Sequence, residues 1–118
     1  MDIEVKQGLP IVYDDEVVVT DAQAMLDLIV SVQYFHDSDR FAIYKNAIAE
    51  DFFRLSTGLA GDVLQKVVNY RKKIAIIGDF SRYTSKSLRD FIFESNNGSA
   101  IFFVSTEAEA ITKLQKST

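Results

Sequence analysis

The run Ile74-Ala75-Ile76-Ile77 is apolar at four consecutive positions and is flanked on both sides by stretches of helical period. Successive side chains of a strand point to opposite faces, so a strand can be apolar throughout only when both faces are covered. Ile101-Phe102-Phe103-Val104 has the same character. Strands of this kind alternating with helices belong to an α/β architecture, with right-handed crossovers and later strands that run parallel. A chain of 118 residues can build one core of that sort and not two. Residues 1–118 therefore read as a single α/β domain, a mixed sheet with about four helices packed on it.

The remaining elements follow from period and punctuation. Ile3 and Val5 alternate with polar residues as in a half-buried strand, and Ile11-Val12-Tyr13 begins a second. Asp14-Asp15 reads as a tight turn into Val17-Val18-Val19, making a hairpin. Thr20 and Gln23 fit a capping box ahead of Ala22, Met25, Leu26, Ile29 and Val32, which recur at helical spacing. Phe41 and Ile43 mark a central strand, and Phe35 and Phe41 are assigned to the core. Glu50-Asp51-Phe52-Phe53 reads as a short helical turn or as a loop that drops two rings onto the core. Leu59/Ala60, Val63/Leu64 and Val67/Val68 define a second helix, and Lys66, Arg71, Lys72 and Lys73 read as its solvated end. Ser85 or Ser87 caps a third helix through Leu88, Phe91 and Ile92, stopped by a left-handed residue at Asn97-Gly98. Thr106 and Glu109 repeat the capping box before Ala110, Ile111 and Leu114.

Composition removes several function classes. Zero cysteines exclude disulfides, thiol nucleophiles and thiolate metal sites, and one histidine, His36, excludes multi-histidine cages. Thirteen basic against seventeen acidic residues leave a net charge of −4, which opposes nucleic-acid binding. Met1 to Lys6 has neither a basic leader nor an apolar signal core, and no apolar run is long enough for a bilayer. The expectation is a cytoplasmic protein with no cofactor, no metal, and neither nucleic acid nor membrane as partner.

Two segments concentrate chemistry. Ser56-Thr57-Gly58 stands at the start of the second helix, where a hydroxyl caps backbone amides and Gly58 permits close approach. A phosphate added to Ser56 or Thr57 would bring about two negative charges to that helix end and repel an acidic partner. The loop after the Ile74–Ile77 run carries Asp79, Arg82, Thr84, Ser85 and Lys86 at the carboxyl edge of the sheet, where α/β proteins bind ligands. Arg82 and Lys86 with the Thr84 and Ser85 hydroxyls suit an anion, and Asp79 suits an acid or base. The loop lacks the glycines of a phosphate cradle, so a solvated loop with Ser85 as a cap is the plainer account. Asp14, Asp15 and Glu16 read as turn residues, and His36 with Asp37 and Asp39 as a polar turn, not as part of a triad. No catalytic residue is assigned. Phe80, Tyr83 and Phe93 are hard to bury on the assigned faces and would form an apolar patch beside the loop.

Ser56-Thr57-Gly58-Leu59, ahead of Val63-Leu64 and the strand Ile74 to Ile77, resembles the signature of STAS domains. These are the fold of anti-sigma-factor antagonists and of sulfate-transporter tails. Leu55 stands where phosphorylatable STAS domains carry an aspartate before the acceptor. Glu50-Asp51-Phe52-Phe53, Thr57-Gly58-Leu59-Ala60-Gly61, Asn69-Tyr70-Arg71, Gly78-Asp79-Phe80-Ser81 and Tyr83-Thr84-Ser85-Lys86-Ser87 together resemble a bacterial family of small proteins. That family is described only as domain of unknown function 4180, and the resemblance carries no activity or cofactor with it. The resemblances imply a STAS-like domain and a bacterial, cytosolic regulator that binds another protein without catalysis. The alternative is a domain, enzymatic or not, that binds a small molecule or anion through the 79–86 loop; self-association is compatible with either.

Overall fold

Lys6-Gln7-Gly8-Leu9 turns the chain within two residues. Gln7 and Gly8 have φ of 52° and 82°. A type I′ turn needs two left-handed residues, and its twist suits paired strands. It joins β1 (Asp2–Lys6) to β2 (Leu9–Tyr13) as an antiparallel pair with Lys6 opposite Leu9. The hairpin expected at Asp14-Asp15 does not form. Asp14 instead accepts the Glu16 amide at 2.9 Å, and Val17 to Val19 contribute only an isolated bridge from Val19 to Ile48. Val19 is fully buried while Val17 is exposed, so this segment plugs the core and stays out of the sheet.

The computed structural model describes residues 1–116. After β2 come α1 (Ala22–His36), β3 (Arg40–Tyr44), three short 3₁₀ turns, α2 (Leu59–Asn69), β4 (Lys73–Ile77), α3 (Lys86–Asn96), β5 (Ile101–Val104) and α4 (Glu107–Lys116). The five strands lie in the order β1-β2-β3-β4-β5, and β2 to β5 are parallel. Each helix from α1 to α3 links neighbouring strands, so crossovers of one hand put all three on one face. Met25, Ile29 and Val32 of α1, Ala60, Val63 and Val67 of α2, and Leu88 of α3 meet Phe41, Ile43, Ile74, Ile76 and Phe103 there. On the other face Ala110 and Leu114 of α4 lie on Ala42, Ala75, Ile77, Phe102 and Val104. Alanine at the adjacent positions of β3 and β4 gives α4 room to approach. The sheet is covered on both sides, as the unbroken apolar runs required.

Helix ends are decided by single side chains. Asp21, not Thr20, caps α1, accepting the Ala24 amide at 2.8 Å. A charged acceptor is the stronger partner for the positive helix end, and Gln23 turns to Asp27 instead. Ser85 caps α3 by accepting from Leu88 at 3.3 Å. Asn97 ends that helix with φ of −89°, so the expected left-handed stop at Asn97-Gly98 is absent. The Asn97 carboxamide closes the end by donating to Phe93 O at 3.0 Å. Thr106 caps as expected, accepting the Glu109 amide at 3.1 Å, but the Glu109 carboxylate reaches back one residue further than a capping box and accepts from Ser105 N at 3.0 Å.

The left-handed stop occurs at α2. Arg71 has φ of 56°, with Arg71 N donating to Val68 O at 3.1 Å and Lys72 N to Val67 O at 2.9 Å. This is the bond pair of a Schellman motif with arginine in the glycine position. Arg71→Gly is therefore expected to stabilise the domain by about 0.5–1 kcal/mol in urea unfolding, because it relieves the left-handed strain. A loss of stability would show that the Arg71 side chain holds the turn.

Three aromatic assignments change. Phe35 is 74% exposed and meets Tyr34 edge-on at 4.9 Å, because His36 and not Phe35 continues the stripe through Ile29 and Val32. Phe80 and Tyr83, expected at the surface, are half-buried: Phe80 packs edge-on against Phe103 at 5.2 Å, and Tyr83 stacks on Phe53 at 5.2 Å. Phe93 is exposed.

Candidate functional site

In a parallel sheet the strand ends and the following helix starts share one edge. The segments after β3 and after β4 therefore emerge side by side, the first carrying Ser56, Thr57 and Gly58 and the second carrying residues 79–86. The first is built from 3₁₀ turns at Lys45–Ala47, Glu50–Phe53 and Leu55–Thr57. Phe52 and Phe53 are buried, so the segment is both things the sequence suggested, short helical turns and a double aromatic anchor.

Glu50 joins the two segments. Its carboxylate accepts from Arg82 Nη2 at 2.9 Å, from the Tyr83 hydroxyl at 2.8 Å and from Lys45 Nζ at 3.5 Å. Desolvation works against its charge, but the Tyr83 hydroxyl and the charges of Lys45 and Arg82 outweigh it and hold the Glu50 carboxyl below its ordinary value. The Lys45 ammonium lies 4.8 Å above the Phe53 ring and 5.1 Å from Tyr83, and the Arg82 guanidinium lies 5.2 Å from Tyr83. Gly78 is required here. A Cβ on it would come within 2.7 Å of the Lys45 Cβ.

The individual candidates have distinct surroundings. Ser56 is exposed, and its hydroxyl makes no hydrogen bond among the described residues. Thr57 is committed to the backbone: its hydroxyl lies 2.7 Å from Asp51 O and 2.9 Å from Arg54 O, donating to one at a time, and it accepts the Leu59 amide at 3.3 Å. Gly58, at φ of 81°, supplies the left-handed corner that opens α2. Asp79 accepts from the Ser81 hydroxyl at 2.6 Å and the Ser81 amide at 2.9 Å, and these bonds lower its pKa. Thr84 is exposed, Ser85 is the α3 cap, and Lys86 pairs with Asp90 at 2.7 Å. Both cations of the expected anion set thus already face carboxylates, Arg82 on Glu50 and Lys86 on Asp90. A bound anion would have to displace them.

Sequence reasoning missed a second cluster at the same edge, on the α4 face. Tyr13 and Tyr44 both donate to Glu107 Oε2, Tyr13 at 2.7 Å, while Lys6 Nζ reaches Oε1 at 2.7 Å. The two rings stack with centroids 5.2 Å apart. The bonds from Lys6, Tyr44 and Tyr13 pull the Glu107 carboxyl down to about 2. Burial, reinforced by the bond to Glu107, pushes the Tyr44 hydroxyl up to about 12. The available signal was a tyrosine closing each of two apolar runs, Ile11 to Tyr13 and Phe41 to Tyr44. Beside the rings a cavity of about 170 Å³ is lined by Tyr13, Asp14, Asp15, Tyr44 and Asn46.

His36 ends α1, at the opposite edge from Ser56. Among the described residues no group of three or more His, Cys, Asp or Glu is set to hold a metal ion, and no helix is long and apolar enough to cross a membrane. Neither a curated protein nor a solved structure gives a match to the chain. A family model described as domain of unknown function DUF4180 matches residues 6–114. That span takes in strands β2 to β5, the Glu50 clasp and the Tyr13–Tyr44–Glu107 cluster, and the chain belongs to the DUF4180 family.

Proposed function

We propose that the domain is a small non-enzymatic bacterial regulator of STAS-like kind, working in the cytoplasm by docking another protein. The docking surface is the edge formed by Ser56, Thr57 and Gly58 together with residues 79–86. The observation that carries this reading is the Glu50 clasp, which turns two separate loops into one continuous exposed surface. Thr57 and Ser85 serve backbone amides, and Ser81 and Tyr83 donate to carboxylates, which leaves the Ser56 and Thr84 hydroxyls. Of these, Ser56 stands at the start of α2, where a phosphate acts on the docking edge. A phosphate there adds about two negative charges to this edge and repels an acidic docking face.

The test is capture from the native host's extract with wild type, Ser56→Asp and Arg82→Ala. One protein should be retained by wild type and lost at least tenfold with Ser56→Asp, while the three proteins share one thermal midpoint to within a few degrees. Equal retention by all three would remove this edge as the docking surface.

A further inference from the structure

The basic residues are unevenly matched with acids. Lys6, Arg40, Lys45, Arg54, Arg82 and Lys86 each face a carboxylate within 4.0 Å. Arg71, Lys72 and Lys73 are consecutive, and none of them makes an ion pair among the described residues. They line a cavity of about 320 Å³, with Val68, Ser99 and Ala100 completing its wall. It lies where α2 ends and where β3, β4 and β5 begin, at the opposite edge of the sheet from the Glu50 clasp.

The cavity's charge is strongly positive on an acidic chain. Its one carboxylate among the described residues, Asp39, is bound by its neighbour Arg40 at 2.9 Å, and that bond lowers the Asp39 pKa. Among the described lining residues, Arg71, Lys72 and Lys73 carry three positive charges beyond the Arg40–Asp39 pair, against −4 for the whole chain. The two ammonium groups are held by neutral acceptors: Lys72 Nζ donates to Gln33 Oε1 at 2.7 Å and Lys73 Nζ to Ser99 O at 2.6 Å. Each ammonium has three N–H donors, so these bonds orient it and leave donors over. The Arg71 guanidinium makes no hydrogen bond among the described residues, and it is carried on the left-handed residue of α2's end. Glycine is the easier residue at that corner, and the exposed Arg71 side chain makes no bond among the described residues that would require it there. Strain kept at such a place points to the side chain's chemistry.

We infer that this cavity binds a small phosphoryl-bearing anion, Arg71 taking two phosphate oxygens through its fork and Lys72 and Lys73 neutralising the rest. A planar guanidinium matches paired phosphate oxygens, and ammonium groups add charge without directional demand. The volume lies at the low end of small-molecule sites, which favours a ligand little larger than the phosphate groups themselves. Val68 and Ala100 give it an apolar margin.

Calorimetric titration with pyrophosphate and with orthophosphate tests the site, using wild type, Arg71→Gly, Lys73→Gln and, at the other edge, Arg82→Ala. Wild type and Arg82→Ala should bind pyrophosphate saturably, one per chain, more tightly than orthophosphate, and more weakly as salt is raised. Arg71→Gly and Lys73→Gln should each bind at least tenfold more weakly, and Arg71→Gly should do so with an unchanged or higher thermal midpoint. Absence of saturable binding to wild type, or equal binding by all four proteins, overturns the inference. So does loss confined to Arg82→Ala, which would move the anion to the 79–86 loop.

Discussion

Phe52→Ala is expected to lower the unfolding free energy by about 3–5 kcal/mol, out of a total of about 5–15 kcal/mol for a domain of this size. The ring is fully buried and packs against Phe53 at 5.0 Å and Phe103 at 6.3 Å. Its backbone belongs to a single 3₁₀ turn, closed by Phe52 N to Ala49 O at 3.0 Å and Arg54 N to Asp51 O at 3.2 Å. A turn that short has no ladder of its own, so residues 50–57 lean on the two rings, while Ala47 to Ala49 is also held by backbone bonds to Val18 and Val19. Removing one leaves a void between the 3₁₀ turn and β5, and it frees Glu50 two residues away. Urea unfolding followed by circular dichroism measures the loss, and loss of the partner in capture reports the freed Glu50. A change below about 1 kcal/mol would mean that the segment can close over the void.

Glu107→Gln should cost about 1–2 kcal/mol at pH 7, and the cost should shrink as the solution is acidified. The carboxyl titrates at about 2 in the folded chain against 4.5 for an ordinary glutamate. A depressed pKa means that the folded state resists protonation more than the unfolded chain does. The stabilisation is therefore present above about 4.5 and is lost as the pH falls towards about 2. The whole shift would correspond to about 3 kcal/mol at about 1.4 kcal/mol per unit. The Glu107 side chain is 23% exposed and Lys6 43%, however, so solvent screening removes part of it. Urea midpoints at pH 7 and pH 3 decide the matter. Wild type should fall towards the variant at pH 3, and a gap of the same size at both values would show that the carboxyl titrates normally.

The two clusters differ in how far the sequence announced them. Ser56, Thr57, Gly58 and the 79–86 loop were legible because α/β topology puts loops after parallel strands on one edge, and because glycine and hydroxyls mark helix starts. Glu50 was visible only as part of an unassigned stretch. Its partners Arg82 and Tyr83 are 32 and 33 residues away, and no local period records that separation. Glu107 lies 94 residues from Tyr13 and 63 from Tyr44, and the three meet because β2, β3 and α4 share one face of the sheet. The misplaced hairpin has a similar cause. Asp14-Asp15 and Gln7-Gly8 both carry turn chemistry, and only the pairing of Leu9 to Tyr13 with both neighbouring strands selects the second.

By itself the chain's order of residues determined the α/β class, the strands of unbroken apolar runs, the helices with their inward stripes, and membership of one family from residue 6 to 114. These are written in periods of two and of nearly four, which any segment expresses through its own side chains. Tertiary structure decided which carboxylate meets which cation. It buried Phe80 and Tyr83 and left Phe35 in solvent, and it gathered Arg71, Lys72 and Lys73 around a cavity whose far wall, Ser99 and Ala100, comes from the start of another strand. Such meetings depend on strand order, register and the angle at which each helix leaves the sheet, and those are set by the packing of the whole core.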